Sequence, residues 1–195
     1  MEYTVRRART SDVPVIAGLV AGNVASGRVL RKATVTLYED VQEFWVAEMA
    51  RDSPLAGTPG DGPLASSKDR GTSEGKIVGC GALHVIWEDL AEIRTVAVDQ
   101  DCQGQGIGHG IVQALLDSAR ALGIQRVFVL TFAVKFFTRH GFYEIEGTPV
   151  SPEVYAELLR SYDEGVAEFL DLDRVKPNTL GNTRMLLHLS GGGSG

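Results

Sequence analysis

The sequence predicts an α/β (α+β) fold, and three observations predict it. The stretch Ala91–Leu122 reads as a strand, a glycine loop and a helix in direct succession. Ile77–Trp87 (IVGCGALHVIW) and Glu92–Val98 are extended apolar runs separated by Glu88–Ala91, which is the pattern of an antiparallel hairpin. On either side, helical and extended patterns share the chain, as in a sheet covered by helices.

The elements follow in order. Tyr3–Arg9 alternates and opens as a strand. Ser11 and Asp12 stand where an N-cap belongs, and Pro14 is tolerated in a first turn, so Val15–Val20 forms a short helix. Gly22–Lys32 is a connection holding Arg28, Arg31 and Lys32. A second helix covers Val35–Val41, and Phe44–Glu48 (FWVAE) is a strand. Arg51–Lys76 is rich in glycine, proline, serine and charge, and it lacks the large apolar residues that would offset the entropy of ordering it. We read 51–76 as a mobile loop inserted between two strands.

Beyond the hairpin, Asp99–Gly106 turns. From Ile107 the apolar residues recur at helical spacing through Ile111, Leu115, Ala119 and Leu122, with Val112 and Leu116 beside them. Arg126–Phe132 (RVFVLTF) is a buried strand, and Val134–His140 is a short helix stopped by Gly141. Phe142–Ile145 is a strand. Ser151-Pro152 starts a helix that runs to about Tyr162, and Thr183–Leu189 closes the sheet. Residues 1–190 make one domain, and 191–195 (GGGSG) read as a tail.

Composition narrows the function. Hydrophobic content of 44% and charged content of 23% suit a soluble globular chain. A net charge of −6 without a basic tract argues against nucleic acid as a partner. Cys80 and Cys102 have neither metal-ligand spacing nor a disulfide framework. Cys80 reads as core and Cys102, in the glycine loop, as exposed. No apolar h-region opens the chain and no uninterrupted apolar run reaches about 18 residues, so a cytoplasmic protein without a membrane anchor is expected. No histidine spacing suggests a metal.

The glycine loop carries the strongest chemical signal. It ends on a helix N-terminus, where the first amides lack intrahelical partners and the macrodipole leaves about half a positive charge. Gly104, Gly106 and Gly108 keep side chains away from a ligand that meets the backbone. Such a site grips a phosphate or pyrophosphate. Neither GxGxxG nor GxxxxGK[ST] is present, which sets aside the dinucleotide and P-loop patterns.

The segment Gln103-Gly104-Gln105-Gly106-Ile107-Gly108 does match (Q/R)-x-x-G-x-(G/A), and it follows the strand end Val96-Ala97-Val98-Asp99. It resembles the acyl-CoA motif of the GNAT N-acetyltransferases. Lys135-Phe136-Phe137-Thr138-Arg139-His140-Gly141-Phe142 is similar to that family's F-Y-x-K-x-G-F segment. GCGALHV, EIRTVAV and FLDLDRVKPNTLGNTRMLLHL look most like the short stand-alone actinobacterial N-acetylglutamate synthases. The resemblance implies a mixed, mostly antiparallel sheet with a V-shaped splay after the fourth strand. It implies acetyl-CoA as co-substrate, L-glutamate (or L-glutamine) as acceptor, and a homodimer. It also implies cofactor contacts from Val96, Ala97, Val98, Gln103, Gly104, Gln105, Gly106, Ile107, Gly108, His109, Phe137 and Arg139.

The chemistry is attack of a neutral amine on a thioester. An α-amine is mostly protonated at pH 7, and each pKa unit above ambient costs about 1.4 kcal/mol, so the site needs a base. Glu92 matches in position the strand glutamate that serves as base in histone-acetylating members. On a period-two strand, Glu92, Arg94, Val96 and Val98 would share one face. The main-chain N–H of Val96 would polarise the carbonyl. Many family members have a tyrosine as general acid where this chain has Phe137; water, His84, Thr131 or Tyr143 are the substitutes. An acceptor with two carboxylates calls for cations. Arg94 in an otherwise apolar strand, Lys32, Lys135 and Arg184 are the candidates, each with an ion pair or a solvated charge as the alternative. Competing readings are acetylation of another small amine or a protein N-terminus, and a non-catalytic acetyl-CoA sensor.

Overall fold

The computed structural model describes residues 2–24, 32–50, 75–161, 166, 170 and 182–189. Arg28 and Arg31, most of the 51–76 insertion, the stretch 171–181 and the tail 191–195 lie outside the described residues.

Among the described residues seven strands form one sheet. They are β1 (Tyr3–Arg7), β2 (Phe44–Met49), β3 (Lys76–Trp87), β4 (Leu90–Val98), β5 (Arg126–Thr131), β6 (Tyr143–Glu144) and β7 (Thr183–His188). Their order is β1-β2-β3-β4-β5-β7-β6. Neighbours are antiparallel except β4 and β5, which run parallel. Among the described residues the helices are α1 (Val13–Val24), α2 (Thr34–Glu39), α3 (Ile107–Ala121), α4 (Val134–Thr138) and α5 (Pro152–Leu158). The fold class expected from the sequence is therefore the one observed.

Both faces of the sheet are covered. On one, Ile107, Ile111, Val112, Leu115 and Leu116 of α3 pack on Ala47, Val78, Leu83 and Ile93. Each such side chain contributes about 1.5–3 kcal/mol on burial. Gly79 and Gly81 of β3 permit this approach, since a Cβ on either would stand 2.8 Å from an Ile111 methyl. On the other face, Val13, Ile16 and Val20 of α1 and Leu37 of α2 meet Phe44, Val46, Cys80, Ala82 and Ala97. A third cluster joins Leu90, Phe128 and Leu186 to Leu158 of α5.

Several local expectations are corrected. Helix α1 is longer than Val15–Val20, because a 3-10 turn at Thr10–Asp12 leads into it. Asp12 does not simply cap forward. It reaches back to the Arg9 N–H at 2.7 Å and is gripped by the Arg6 guanidinium at 2.7 Å. Burial alone would push the Asp12 carboxyl up; the Arg6 and Arg9 hydrogen bonds hold it below the usual carboxylate range. Helix α2 stops at Glu39, and a 3-10 turn over Val41–Glu43 delivers the chain to β2. Leu122 and Phe132 lie past the ends of α3 and β5 and are 56% and 42% exposed. Cys102 is buried rather than exposed, and burial raises its thiol pKa.

Candidate active site

Two departures from regular pairing create the site. The β4–β5 ladder has only three rungs, Leu90↔Arg126, Ala91↔Val127 and Glu92↔Phe128. From Ile93 onward β4 pairs with β3 alone, while β5 continues with β7. The strands thus part at Glu92, and backbone groups of β4 beyond it are not committed to β5.

The second departure is a bulge in β4. Arg94 is registered with Ala82 and Ala97 with Cys80, so Thr95 and Val96 together oppose Gly81. Thr95 takes φ +59, a left-handed conformation that a β-branched residue rarely adopts. The extra residue breaks the period-two face read from the sequence. Glu92, Arg94 and Ala97 sit opposite His84, Ala82 and Cys80 and point to the α1–α2 side, whereas Val96 and Val98 pack toward α3. Because the left-handed conformation is costly for threonine and free for glycine, Thr95→Gly is expected to raise the melting temperature, whereas glycine in a regular strand lowers it. A fall of several degrees by calorimetry would contradict the left-handed bulge.

The glycine loop stands at the end of β4. A 3-10 turn over Gln100–Cys102 is capped by the Asp99 carboxylate, which accepts from the Asp101 N–H at 3.1 Å. Gly104 and Gly106 have φ of +76 and +83, and an added Cβ at either would meet open space. Gly106 is the N-cap of α3, a helix of 15 residues, so the first-turn amides face outward at its positive end. This cradle fits the diphosphate of an acyl-CoA. The Gln103 side chain donates to the Val98 carbonyl at 3.3 Å, and that of Gln105 to the Asp101 carbonyl at 3.2 Å. Both glutamines brace the loop, so backbone rather than side chain is what the loop offers. The side chains of Ile107 and Ala97 are core, leaving only their main chain for a ligand.

Phe137, expected among the cofactor contacts, has its side chain buried in the core, edge-on to Phe136 and Phe142. Phe136 is the ring that lies by the loop, since a Cβ at Gly108 would come within 3.4 Å of it. Its ring centroid is 4.6 Å from that of His109. His109 Nδ1 is 2.8 Å from His140 Nε2, one donating and one accepting. Burial, then the neighbouring His109, lowers the His140 pKa. Arg139 is exposed beside this pair.

The four cationic candidates divide between the arms of the V. Arg94 and Lys32 meet on the β4 arm. Arg94 Nη2 lies 2.9 Å from Glu43 Oε2 and 3.1 Å from Asp40 Oδ2, and Lys32 Nζ lies 3.5 Å from the same Asp40 oxygen. His84 Nδ1 joins the cluster 2.7 Å from Glu43 Oε1. The same nitrogen is 3.1 Å from Arg94 Nη2. One nitrogen cannot both donate and accept, and the shorter, charge-assisted contact assigns an Nδ1–H donated to Glu43. Burial would push Glu43 up, but the His84 hydrogen bond and the Arg94 charge hold its carboxyl below the usual range. Arg94 is thus bound to acids, as the alternative reading had it, though the partners are Asp40 and Glu43. Lys135 and Arg184 stand on the other arm, in α4 and β7. Lys135 is exposed, and Arg184 donates to the Gly147 carbonyl at 3.1 Å.

Glu92 occupies the junction of the arms. It is 5% exposed, forms the last β4–β5 rung and faces His84 across the β3–β4 ladder. Among the possible acids, Thr131 accepts from the Ala133 N–H at 3.0 Å, and Tyr143 is exposed and stacked on His188. His84 is the one that shares the Glu92 face. Asp40, Glu43 and Phe136 were not singled out by the sequence; no local pattern marks them.

Comparison with known proteins agrees with this geometry. Residues 33–142 match the model of the acetyltransferase (GNAT) family. A Mycobacterium tuberculosis "amino-acid acetyltransferase" is 59% identical over 186 residues, covering 95% of this chain and 94% of its own length. A crystal structure of an M. tuberculosis protein in complex with CoA and NLQ superposes with a TM-score of 0.79 at 59% identity, covering 96% of this chain and 99% of that one. The N-acetylglutamate synthase of Neisseria gonorrhoeae, complexed with coenzyme A and N-acetyl-glutamate, shares the fold (TM-score 0.68, 20% identity). This chain covers 36% of that protein and 97% of its own length is matched. The chain belongs to the GNAT family, and it is an acetyltransferase that takes its acetyl group from acetyl-CoA.

Proposed function

We propose that this acetyltransferase acetylates the α-amine of L-glutamate, making N-acetylglutamate at the entry to arginine biosynthesis. The observation that carries the reading is the near-full-length likeness to an amino-acid acetyltransferase. The neisserial synthase, which shares the fold and is complexed with N-acetyl-glutamate, supports glutamate as the acceptor. The β4 arm supports it as well. Lys32 and Arg94 are brought together beside Glu92, where a carboxylate-bearing acceptor would exchange with Asp40 and Glu43 for their attraction.

In this reading Glu92 takes a proton from the acceptor ammonium, directly or through one water. The neutral nitrogen attacks the thioester carbonyl in a ternary complex. The main-chain N–H of Val96, in the bulge, polarises that carbonyl. Val96, Ala97 and Val98 offer backbone to the pantetheine arm. Gly104, Gly106 and Gly108 with the α3 amides hold the diphosphate, and His109 and Arg139 flank it. Lys135 and Arg184 border the acceptor from the opposite arm.

Thiol release from acetyl-CoA, measured across the twenty amino acids and several polyamines, tests the reading. Turnover confined to glutamate, or to glutamate and glutamine, is the expected result. Turnover with a different amine alone would overturn the glutamate assignment.

A further inference from the structure

We propose that His84, held by Glu43, carries to solvent the proton that Glu92 takes from the acceptor amine. The inference rests on Glu92 as base but not on the identity of the acceptor.

The need arises from proton balance. The acceptor enters as an ammonium. An N–C bond forms, the C–S bond breaks, and the sulfur leaves with the bonding pair. Of the two protons the nitrogen loses, one ends on the CoA sulfur and one on water. Glu92 must therefore discharge a proton once per turnover, yet it is 5% exposed.

His84 stands where that proton would go. It is registered opposite Glu92, and side chains opposite one another on a ladder share a face with Cβ atoms about 4.5–5.5 Å apart. Its Nδ1–H is donated to Glu43 Oε1 at 2.7 Å, which fixes the ring and makes Nε2 the basic nitrogen. The His84 side chain is 21% exposed, so it reaches water from a position opposite the buried carboxyl. It lines an opening of about 310 Å³ with Val85, Trp87, Glu157, Arg160 and Ser161. Among the described residues, the charged groups around it are Glu43 and Asp40 from the 3-10 turn and the end of α2, Arg94 and Glu92 from β4, and Lys32. Glu157 and Arg160 stand on the far wall of the opening and pair with each other at 3.1 Å. Glu43 and Arg94 thus set opposite charges against the ring.

The test uses the full chain with whichever amino acid turns over fastest. H84N, which keeps a donor toward Glu43 but does not titrate, is expected to lower kcat about 10²-fold. KM for acetyl-CoA stays unchanged, and one ionisation disappears from the pH profile of kcat. H84A is expected to recover rate when imidazole is added as buffer at constant ionic strength. Should H84N melt early, H84Q serves in its place. A kcat profile parallel to wild type, no response of H84A to imidazole and a raised acceptor KM would overturn the proposal and leave His84 a shaper of the pocket. If E92Q is inactive while the His84 variants keep wild-type kcat, the relay fails and Glu92 as base stands. If E92Q keeps full kcat, the Glu92 reading fails and the relay with it.

Discussion

Glu92→Gln is expected to lower kcat by about 10²–10⁴-fold, the usual contribution of a positioned proton acceptor. Glutamine keeps the volume of a side chain that is 5% exposed, so the strands still part where they do now. What disappears is the ability to accept a proton. In the proposed reading acetyl-CoA is held by the glycine loop and the α3 N-terminus, at the other end of β4. Its KM, and its effect on the melting temperature, should therefore match wild type. The deficit should also shrink as pH rises, because the amine then loses its proton in bulk water and asks less of the protein. Steady-state kinetics between pH 6 and about 10 would check both statements. A variant within threefold of wild-type kcat at neutral pH would remove Glu92 from the reaction.

The second large effect concerns stability. Arg94→Ala leaves Asp40 and Glu43 beside one another without their shared cation. Removing one partner of a buried pair costs about 3–5 kcal/mol. The Arg94 side chain is 10% exposed but the carboxylates are 20% and 24% exposed, so water screens part of the loss. About 2–3 kcal/mol is the expected cost, or a fall of roughly 5–10 °C in Tm for a chain of this size. Its pH dependence has a definite sign. Glu43 is held below its ordinary value in the folded protein, so its contribution is present above the ordinary carboxylate range and is lost as pH falls through the folded value. The gap between wild type and variant should be widest near neutrality and close in acid. Arg94→Lys keeps the charge but not the fork, and should fall between the two. Melting curves for the three proteins from neutral pH into acid would decide. An alanine variant that melts within about a degree of wild type would show the cluster to be fully screened.

What could be read in the sequence was what is local. The strand, loop and helix around Gly104–Gly108 follow one another without a gap, so propensity and periodicity agree and α3 lies where its apolar stripe puts it. The β3–β4 hairpin is legible for the same reason. The reading failed where the deciding contact is distant or the local signal points the wrong way. Thr95 is a strand former by propensity, yet it occupies the left-handed region because Cys80 and Ala82 set the register on both sides of it. A face counted by twos is then wrong after Arg94. Asp40 and Glu43 sit in a polar connection like any other, and they acquire meaning from distant partners such as Arg94, more than fifty residues along the chain. Phe136 and Phe137 are adjacent in a helix too short to show a period, so sequence alone could not tell which ring enters the core. Cys102 looked solvated among glycines and aspartates, but the 3-10 turn folds it under the loop.

The bulge at Thr95 also bears on how such an enzyme changes over time. A regular strand would show the same alternating row to both substrates, and altering one would disturb the other. With the extra residue, Glu92 and Arg94 belong to one side of the sheet and Val96 and Val98 to the opposite side. On the proposed reading, substitutions around Asp40, Glu43, His84 and Arg94 would retune which amine is accepted while the backbone of Val96–Val98 and the glycine loop go on holding the same donor. Acceptor preference and donor grip would then be separately heritable traits written on a single strand.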